Sequence, residues 1–371
     1  MDRCLRRCLS IMRFRLVVSA VSLLAAISFV VVASAQVSLP GVEELEAGIW
    51  NTIEPGGETL CARGTEYAFF VRPGDPERLM IYFQGGGACW NALTCDPNQT
   101  FFDQRVGTVE EEIGRYGGVF DFDNPENPVS DYSIVFVPYC TADVHSGRST
   151  RTYNNVSGDY TVAFNGFVNS QAALDWVYAN YDAPQSLIVT GSSAGAYGAV
   201  FHAHYILERY PEADAVILGD AGAGITAPTF DGLEQWSTLA NAYEGSAENT
   251  LTFNNELYAS LALNRPQARV AQYTTNQDSV QIFFYLAGGG DPTQWGTLMR
   301  ERLAALGDAA ENFFSFIAGG SSHTILASDL FYTLMADGTR FLDWFNALLE
   351  RPEDARSVVC TDCLTEEVYT P

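Results

Sequence analysis

One stretch, residues 186–198, constrains the fold of this chain more than any other; it reads S-L-I-V-T-G-S-S-A-G-A-Y-G. A short run of β-forming residues at 187–190 changes abruptly into glycine and serine, and a helix-compatible segment follows through Glu208. This order is typical of a strand, a tight turn and a helix, with G-x-S-x-G at the turn. The positions two before and two after the central serine lack side chains because such a turn is strained and crowded. The pattern therefore predicts that Ser193 is presented as a nucleophile, with the first helical N–H, that of Ala194, aimed at whatever bonds to it.

The first 35 residues have the pattern of an export signal. Five arginines lie within the first 15 residues, an apolar run follows at 16–32, and Ala33-Ser34-Ala35 ends it. This arrangement is typical of a secretory signal peptide cleaved before Gln36. The alternative is an uncleaved membrane anchor, because the apolar run is nearly long enough to span a bilayer. We expect residues 1–35 to be a signal peptide and residues 36–371 to form one domain, secreted or periplasmic, without stable membrane insertion.

The composition is strongly acidic and includes no lysine. Loss of the signal would remove five arginines and one aspartate, which changes the formal net charge from −25 to −29. Such a surface repels phosphate backbones and anionic lipids. The charge therefore argues against nucleic acid as a partner.

Cysteine usage fits the same exported class. Six cysteines follow the predicted signal: Cys61, Cys89, Cys95, Cys140, Cys360 and Cys363. An even number in an exported chain indicates disulfides, although six cysteines allow fifteen pairings. The C-x-x-C pair beginning at Cys360 has no second pair of ligands nearby, so we expect no zinc site and no other metal.

Strand-like and helix-like segments alternate from about Arg78 onward. This alternation predicts an α/β fold with a mostly parallel central sheet and helices on both faces. Residues 225–265, rich in threonine, asparagine and glutamate, are predicted to form a cap or lid over the site. The predicted strands are 48–53, 66–72, 78–83, 133–138, 187–190, 213–219, 268–274 and 313–318, and helices are predicted at 164–181, 194–208 and 325–349.

A glycine-dense segment, Q-G-G-G-A-C-W, follows the strand at 78–83 directly. Three consecutive glycines cost conformational entropy, so they indicate that the backbone closely approaches another group. In a hydrolase with this kind of serine turn, the corresponding loop supplies a second donor to an oxyanion. A phosphate-binding loop is the rival interpretation, but the chain has no lysine for it and G-x-G-x-x-G is not satisfied.

A serine hydroxyl is a poor nucleophile at neutral pH, so Ser193 requires a base. Of the four histidines, His202 and His204 lie on the helix after the turn and point away from the strand tip. His323 lies in a glycine loop just past the last predicted strand, and the chain order of serine, acid and histidine makes it the expected base. His145, which follows a strand and is placed to line the cleft, is the alternative.

Two aspartates meet the requirements for the orienting acid. Asp220 and Asp278 both lie between Ser193 and His323 in sequence, and each follows a predicted strand. Asp278 is favoured because its strand neighbours that of the histidine. We expect Asp220 to shape the floor of the pocket through backbone contacts. No pair of carboxylates suited to sugar cleavage stands out among the acidic residues.

These residues together resemble the pectin acetylesterase and Notum family of secreted carboxylesterases. The resemblance runs from about Trp50 to Cys363, nearly the whole chain after the signal. The shared motifs, in family order, are Q-G-G-G-A-C-W at Gln84, V-P-Y-C-T-A-D-V-H-S-G at Val137, G-S-S-A-G-A-Y-G at Gly191, D-A-G at Asp220, N-Q-D-S-V-Q at Asn276 and S-S-H at Ser321.

The resemblance implies an α/β-hydrolase-like fold and a Ser-His-Asp triad that needs no cofactor. It implies Ser193 as the nucleophile, Asp278 as the acid and His323 as the base. The oxyanion donors it implies are the backbone amides of Gly86, Gly87 and Ala194.

One departure from the family pattern concerns the glycine loop. Family members often carry tryptophan next to the cysteine, where Ala88 stands here with Trp90 beyond it. The wall of the acyl pocket therefore differs, and with it the acyl-chain length. We expect Trp90, with His145 and Asp220, among the substrate-binding residues.

The implied reaction is hydrolysis of acyl esters, expected to be acetyl esters on an extracellular polysaccharide, by a monomer. The alternative substrate class is a longer acyl chain on lipid, polyester or acylated protein. A different interpretation is an exported binding protein that kept the fold and lost catalysis; the occupied triad positions argue against it.

Overall fold

The computed structural model describes residues 38–155, 158–242 and 253–361, with the backbone alone at 253–256. The predicted signal peptide, Cys363 and residues 243–252 of the predicted lid lie outside the described residues. Within the described part of the chain, no helix combines the length and the apolar character that a membrane span needs.

Nine strands of the described chain form one twisted sheet, in the order β1-β2-β4-β3-β7-β8-β9-β10-β13. The β1–β2 and β2–β4 pairs are antiparallel, and the remaining pairs are parallel. The predicted α/β fold is confirmed. The strands of this sheet are β1 (Asn51–Ile53), β2 (Phe69–Arg72), β3 (Asp75–Phe83), β4 (Tyr132–Val137), β7 (Ser186–Ser192), β8 (Asp214–Asp220), β9 (Arg269–Thr275), β10 (Phe313–Ala318) and β13 (Val358–Val359); the short pairs outside it are β5 (Ser149–Asn155) with β6 (Gly158–Phe164) and β11 (Met335–Ala336) with β12 (Thr339–Arg340).

Helices cover this sheet because its central strands are buried along almost their whole length. All six residues of β4 and all seven of β9 are buried, as expected for parallel strands covered on both faces. The helices are α1 (Val109–Glu112), α2 (Gly166–Asn180), α3 (Ala194–Arg209), α4 (Gly232–Trp236), α5 (Phe253–Asn264), α6 (Ser279–Ala287), α7 (Trp295–Ala309), α8 (Leu330–Thr333) and α9 (Phe341–Glu350).

The helix predicted at 325–349 was wrong. The structure has α8, then the β11–β12 hairpin, then α9 in this region. Asp337 and Gly338 at the hairpin turn have φ of 44° and 72°. An Asp-Gly pair favours these left-handed conformations and so promotes a two-residue hairpin turn.

Disulfides fasten the loops around the carboxyl ends of the parallel strands. Cys61 is bonded to Cys140 and Cys89 to Cys95. Cys360 is also disulfide-bonded. The Cys89–Cys95 bond closes a short loop immediately after the glycine segment, so it restricts the movement of that segment.

Candidate active site

Ser193 lies in the turn between β7 and α3 with φ 58° and ψ −123°. A side chain at Gly191 would come 2.5 Å from the carbonyl oxygen of Phe83, and one at Gly195 would overlap the same oxygen. The end of β3 therefore presses against both glycines of the G-x-S-x-G turn. This contact is the steric reason for the absence of side chains on either side of the serine.

The backbone of the turn is fixed by hydrogen bonds to neighbouring strands and to its own helix. The Ser193 amide donates to the carbonyl of Asp220 at 2.7 Å, and the Ser193 carbonyl accepts from Ala196 at 3.0 Å. Ala194 is the first residue of α3, so its N–H has no partner within the helix. That N–H is available to a ligand atom bonded to Ser193.

The glycine segment after β3 lies beside this turn. A side chain at Gly85 would come 2.8 Å from Cβ of Ser193. Gly87 has φ 79°, and a side chain there would overlap the carbonyl of Phe101. The Gly86 carbonyl accepts from the amide of Asp103 at 3.0 Å. The hydrogen bond fixes the Gly86 carbonyl, and the close contact of Gly85 places the segment against Ser193.

His323 and Asp278 form a hydrogen-bonded pair. Nδ1 of His323 lies 2.9 Å from both carboxylate oxygens of Asp278. Asp278 also caps the N-terminus of α6, because it accepts from the amides of Val280 at 3.1 Å and Gln281 at 2.9 Å. The Gln281 side chain donates a further hydrogen bond to this carboxylate at 2.9 Å. Asp278 is fully buried, so these donors are what satisfies its charge.

Ser193 and His323 line the same two pockets. Nε2 of His323 is buried and makes no hydrogen bond with the described residues. With Nδ1 bonded to Asp278, Nε2 is the imidazole nitrogen that remains free to accept a proton. Hydrogen bonds between such groups often tighten only when substrate is bound.

One of these two pockets, here called the apolar pocket, encloses about 850 Å³ including its mouth. Ser193, Ala194, Gly87 and His323 lie at one end of it. The rest of its wall is mostly aromatic and aliphatic, and its aromatic residues are Trp90, Tyr197, Phe230, Trp236, Phe284, Tyr285 and Trp295. Part of the predicted lid, residues 225–236, contributes to this wall, whereas Leu257 and Leu261 of α5 are buried in the core.

The second pocket, here called the open pocket, is also lined by Ser193. It shares Gly87, Val280, Phe284 and His323 with the apolar pocket. Its own lining is more polar, and includes Gly85, Gly86, Gln99, Thr100, Phe101, Asp103, Phe283 and Thr324. The reactive groups thus stand between an apolar space and a polar one.

Asp220 does not line either pocket, in contrast to the expectation that it binds substrate. It is fully buried and accepts hydrogen bonds from Ser192 Oγ at 2.6 Å and from the amides of Ile325 and Leu326 at 3.0 Å. Burial raises the pKa of Asp220 to about 6, against the effect of these donors. The carboxylate therefore connects the serine turn to the loop that carries His323, rather than to a ligand.

His145 does not line either pocket, and it is not placed to act as the base. It is almost fully buried, and its Nε2 donates to the carbonyl of Gln84 at 2.8 Å. Burial lowers its pKa to about 3, so the ring is neutral. Gln84 is the first residue of the glycine segment, so this hydrogen bond from His145 holds the start of the segment in place.

Sequence reasoning missed the strained segment around His145. Ala142, Val144 and His145 have φ of 65°, 50° and 64°. A left-handed conformation is a rare outlier for a β-branched residue such as valine and persists only where its surroundings enforce it. Val144 lines the apolar pocket, and the Ala142 carbonyl accepts from the amide of Cys89. The strained residues thus contact the glycine segment directly, and no pattern in the sequence indicates their strain.

No group of three or more histidine, cysteine, aspartate or glutamate residues in the described ranges is arranged to hold a metal ion. The groups that the described residues bring together at the site are a hydroxyl, an imidazole–carboxylate pair and backbone amides.

The Pectinacetylesterase family matches the sequence over residues 51–287. Two similar relatives are palmitoleoyl-protein carboxylesterase notum1a of Danio rerio, 28% identical over 156 residues, and palmitoleoyl-protein carboxylesterase NOTUM of Homo sapiens, 25% identical over 171 residues. These matches cover 41% and 44% of this chain, but only 30% and 34% of the relatives. An inactive notum1b of Danio rerio is 28% identical over 113 residues, which are 30% of this chain and 81% of that protein.

A solved structure shares the fold. The Wnt deacylase Notum from Drosophila superposes with a TM-score of 0.58 at 15% sequence identity, over 81% of this chain and 93% of that one. The family match covers well over half of the sequence and includes both the glycine segment and the serine turn. This chain is a member of the Pectinacetylesterase family.

Proposed function

We propose that this protein is a serine carboxylesterase with Ser193 as nucleophile, His323 as base and Asp278 as orienting acid. The observation that carries the proposal is the His323–Asp278 pair beside a serine held in a strained strand-to-helix turn. An inactive relative exists, but here the three positions hold a serine, a histidine and an aspartate.

The reaction follows from these groups. Nε2 of His323 takes the proton of Ser193 as Oγ attacks the ester carbonyl, and Asp278 stabilises the resulting imidazolium. The amides of Gly86, Gly87 and Ala194 donate to the oxyanion that forms. His323 then gives its proton to the leaving alcohol, which departs and leaves an acyl-enzyme. A water molecule, activated by the same histidine, releases the acid.

The two pockets assign the two halves of the ester. The acyl chain extends into the apolar pocket, because that space is lined mainly by aromatic and aliphatic side chains. The alcohol lies in the open pocket, whose lining includes Gln99, Thr100 and Asp103. Both halves then meet at Ser193.

The apolar pocket favours an acyl chain longer than acetyl. Seven aromatic side chains line this pocket together with aliphatic ones, which is a larger apolar surface than a two-carbon group can cover. The names of the relatives, palmitoleoyl-protein carboxylesterases, support longer chains as well. The second candidate, acetyl ester hydrolysis on a polysaccharide, is supported by the name of the family.

The enzyme is proposed to act outside the cytoplasm, as a monomer, after removal of residues 1–35. The Cys61–Cys140 and Cys89–Cys95 disulfides support this location, since such bonds persist in oxidising compartments.

The test of catalysis uses the two neighbouring serines. Ser193→Ala should lower kcat on a chromogenic butyrate ester by at least about 10⁴-fold. Its melting temperature should stay within a few degrees of wild type, and fluorophosphonate labelling should be lost. Ser192→Ala is the matched control, and should retain labelling and at least about a tenth of the activity. Undiminished turnover by the Ser193→Ala variant would refute the assignment of Ser193 as the nucleophile.

The test of chain length uses chromogenic esters from acetate to palmitate. We expect kcat/KM to rise from acetate to a medium chain. Ile225→Trp, which places a larger side chain in the apolar pocket, should reduce the medium-chain value more than the acetate value. A steady decline from acetate onward in the wild type would instead favour the acetyl esterase.

A further inference from the structure

The open pocket contains a charge that the proposed chemistry does not use. Among the described residues that line it, Asp103 is the only aspartate, glutamate or arginine. The Asp103 backbone amide is bonded to the Gly86 carbonyl, and a Cβ built on Gly86 would lie 2.8 Å from Oδ2 of Asp103. The carboxylate therefore stands next to the glycine segment that faces the ester.

This carboxylate forms no direct ion pair with a described residue, although the charge of Arg115 acts on it. Its side chain makes no hydrogen bond or ion pair with any residue in the described ranges, and it is exposed to solvent. The surrounding protein raises its pKa, mainly by desolvation and then through the charge of Glu112, while Arg115 opposes the shift. A positive charge or a hydrogen-bond donor in the pocket would meet an unpaired acceptor.

Aromatic faces lie beside the carboxylate. Phe101 and Phe283 stack with ring centroids 5.6 Å apart and an interplanar angle of 26°. Phe283 is 48% exposed although it is a large apolar residue. Aromatic faces attract cations electrostatically, and they also cover the apolar surface of a neutral ring. The faces of these rings carry partial negative charge, so they do not attract an anion.

We propose that the open pocket is a binding subsite for an alcohol moiety that is cationic or neutral, and that it rejects anionic alcohols. The inference rests on the proposed function, because it assigns the leaving group of the same reaction. The formal net charge, −29 after removal of residues 1–35, acts in the same direction at longer range, since it lowers the local concentration of anionic substrates. Esters of uncharged sugars or of amine-bearing alcohols fit this subsite, whereas acyl esters on a polyuronate chain do not.

The experiment compares three butyrate esters that differ in the charge of the alcohol. They are butyrylcholine, its neutral isostere 3,3-dimethylbutyl butyrate, and 2-sulfoethyl butyrate. A unit charge a few ångströms from a carboxylate in a solvated site is worth about 1 kcal/mol, so we expect kcat/KM to decrease about fivefold at each step from cation to neutral to anion. Added salt should reduce these ratios, because it screens exposed charges.

Variants separate Asp103 from the general charge of the protein. Asp103→Asn should bring the choline-to-isostere ratio close to one, and Asp103→Glu should restore part of it. Asp182→Asn is the control, because its side chain is 99% exposed on the loop before β7, at the opposite end of that strand from Ser193. The control should leave the ratio unchanged.

The outcomes distinguish this inference from the proposed function. If the neutral ester is not hydrolysed and Ser193 is not labelled by fluorophosphonate, the esterase assignment itself fails. If the neutral ester is hydrolysed by a Ser193-dependent reaction, but the choline ester is no better or Asp103→Asn leaves the ratio unchanged, the subsite is overturned while the esterase stands.

Discussion

Replacing Asp278 by asparagine tests the triad at the level of single atoms. Oδ1 of Asp278 accepts from the amides of Val280 and Gln281, whereas Oδ2 accepts from the Gln281 side chain. Both oxygens lie 2.9 Å from Nδ1 of His323. The single carbonyl oxygen of asparagine is held at the Oδ1 position by two backbone donors. Its NH₂ group must therefore take the Oδ2 position.

The neighbouring glutamine cannot adapt to this change without further loss. Gln281 Oε1 accepts from the amide of Ala223 at 2.8 Å, and its Nε2 donates to Thr274 Oγ1 at 2.9 Å. A flip of the Gln281 amide would place its NH₂ group against the buried N–H of Ala223, so we expect that NH₂ group to remain facing the NH₂ group of asparagine 278. The new amide also donates to Nδ1 of His323, which fixes the ring proton on Nε2.

The expected effects follow from these atoms. The proton on Nε2 occupies the nitrogen that must accept the proton of Ser193, so kcat should fall by about 10⁴-fold, as it does when a triad aspartate is replaced by asparagine. This loss corresponds to about 5.5 kcal/mol in the barrier. The apposed donors and the lost charged hydrogen bond should lower the free energy of unfolding by about 1–3 kcal/mol.

The assay measures kcat on a butyrate ester and the free energy of unfolding in urea for the same preparations. Asp220→Asn is the matched control, because Asp220 is equally buried and ends a strand, but its hydrogen bonds go to Ser192, Ile325 and Leu326 and not to His323. The Asp220→Asn variant should lose less than about 100-fold in kcat, because it displaces only the loop that carries His323. The reasoning is refuted if Asp278→Asn keeps more than about 1% of wild-type kcat, or if Asp220→Asn is the more damaging change.

The remaining predictions concern the buried groups beneath the glycine segment. His145→Phe removes the donor to the Gln84 carbonyl and should lower kcat about 10- to 100-fold with little change in KM. Because burial lowers the pKa of His145 to about 3, the pH profile of activity between pH 5 and 9 should keep its shape. An unchanged kcat would contradict the supporting role of His145. Burial raises the pKa of Asp143 to about 7, so the folded state binds this proton more tightly than the unfolded state, and the ionised carboxyl costs stability that is recovered as pH falls from 8 towards 5. Asp143→Asn removes this recovery, so the stability of wild type relative to the variant should increase by about 2–3 kcal/mol between pH 8 and pH 5 in urea unfolding; a difference independent of pH would count against it.

The serine turn was predictable because its constraints are local. One short segment contains the strand, the turn and the helix, and the glycines at 191 and 195 mark the turn, although the contact that requires them is with Phe83 at the end of the neighbouring strand β3. His323 and Asp278 followed from chain order and from their positions after strands. Their mutual hydrogen bonds required the structure, since many aspartates in an acidic chain follow strands equally well.

The pockets could not be derived in this way because their walls come from distant segments. The apolar pocket joins Trp90 to residues 225–236 and to one face of α6, and no periodicity in the sequence relates these parts. His145 and Asp220 were misplaced for a related reason. A polar residue after a strand suggests a ligand contact, but both side chains satisfy buried carbonyl and amide groups instead. Burial of these partners is a tertiary property that the local pattern does not contain.

Two buried carboxylates, those of Asp278 and Asp220, hold the irregular loop that carries His323 in a fixed position relative to Ser193. Asp278 holds the imidazole itself, while Asp220 holds the amides of Ile325 and Leu326 just after it and the hydroxyl of Ser192 just before the nucleophile. A shift of the His323 loop relative to the turn would therefore break buried hydrogen bonds to a charged group, each worth about 1.5–3 kcal/mol. Breaking even two of them would cost several kcal/mol, far above thermal energy. In the proposed mechanism His323 is thus held in place before substrate arrives, and substrate binding has to bring Nε2 within hydrogen-bond distance of the Ser193 hydroxyl.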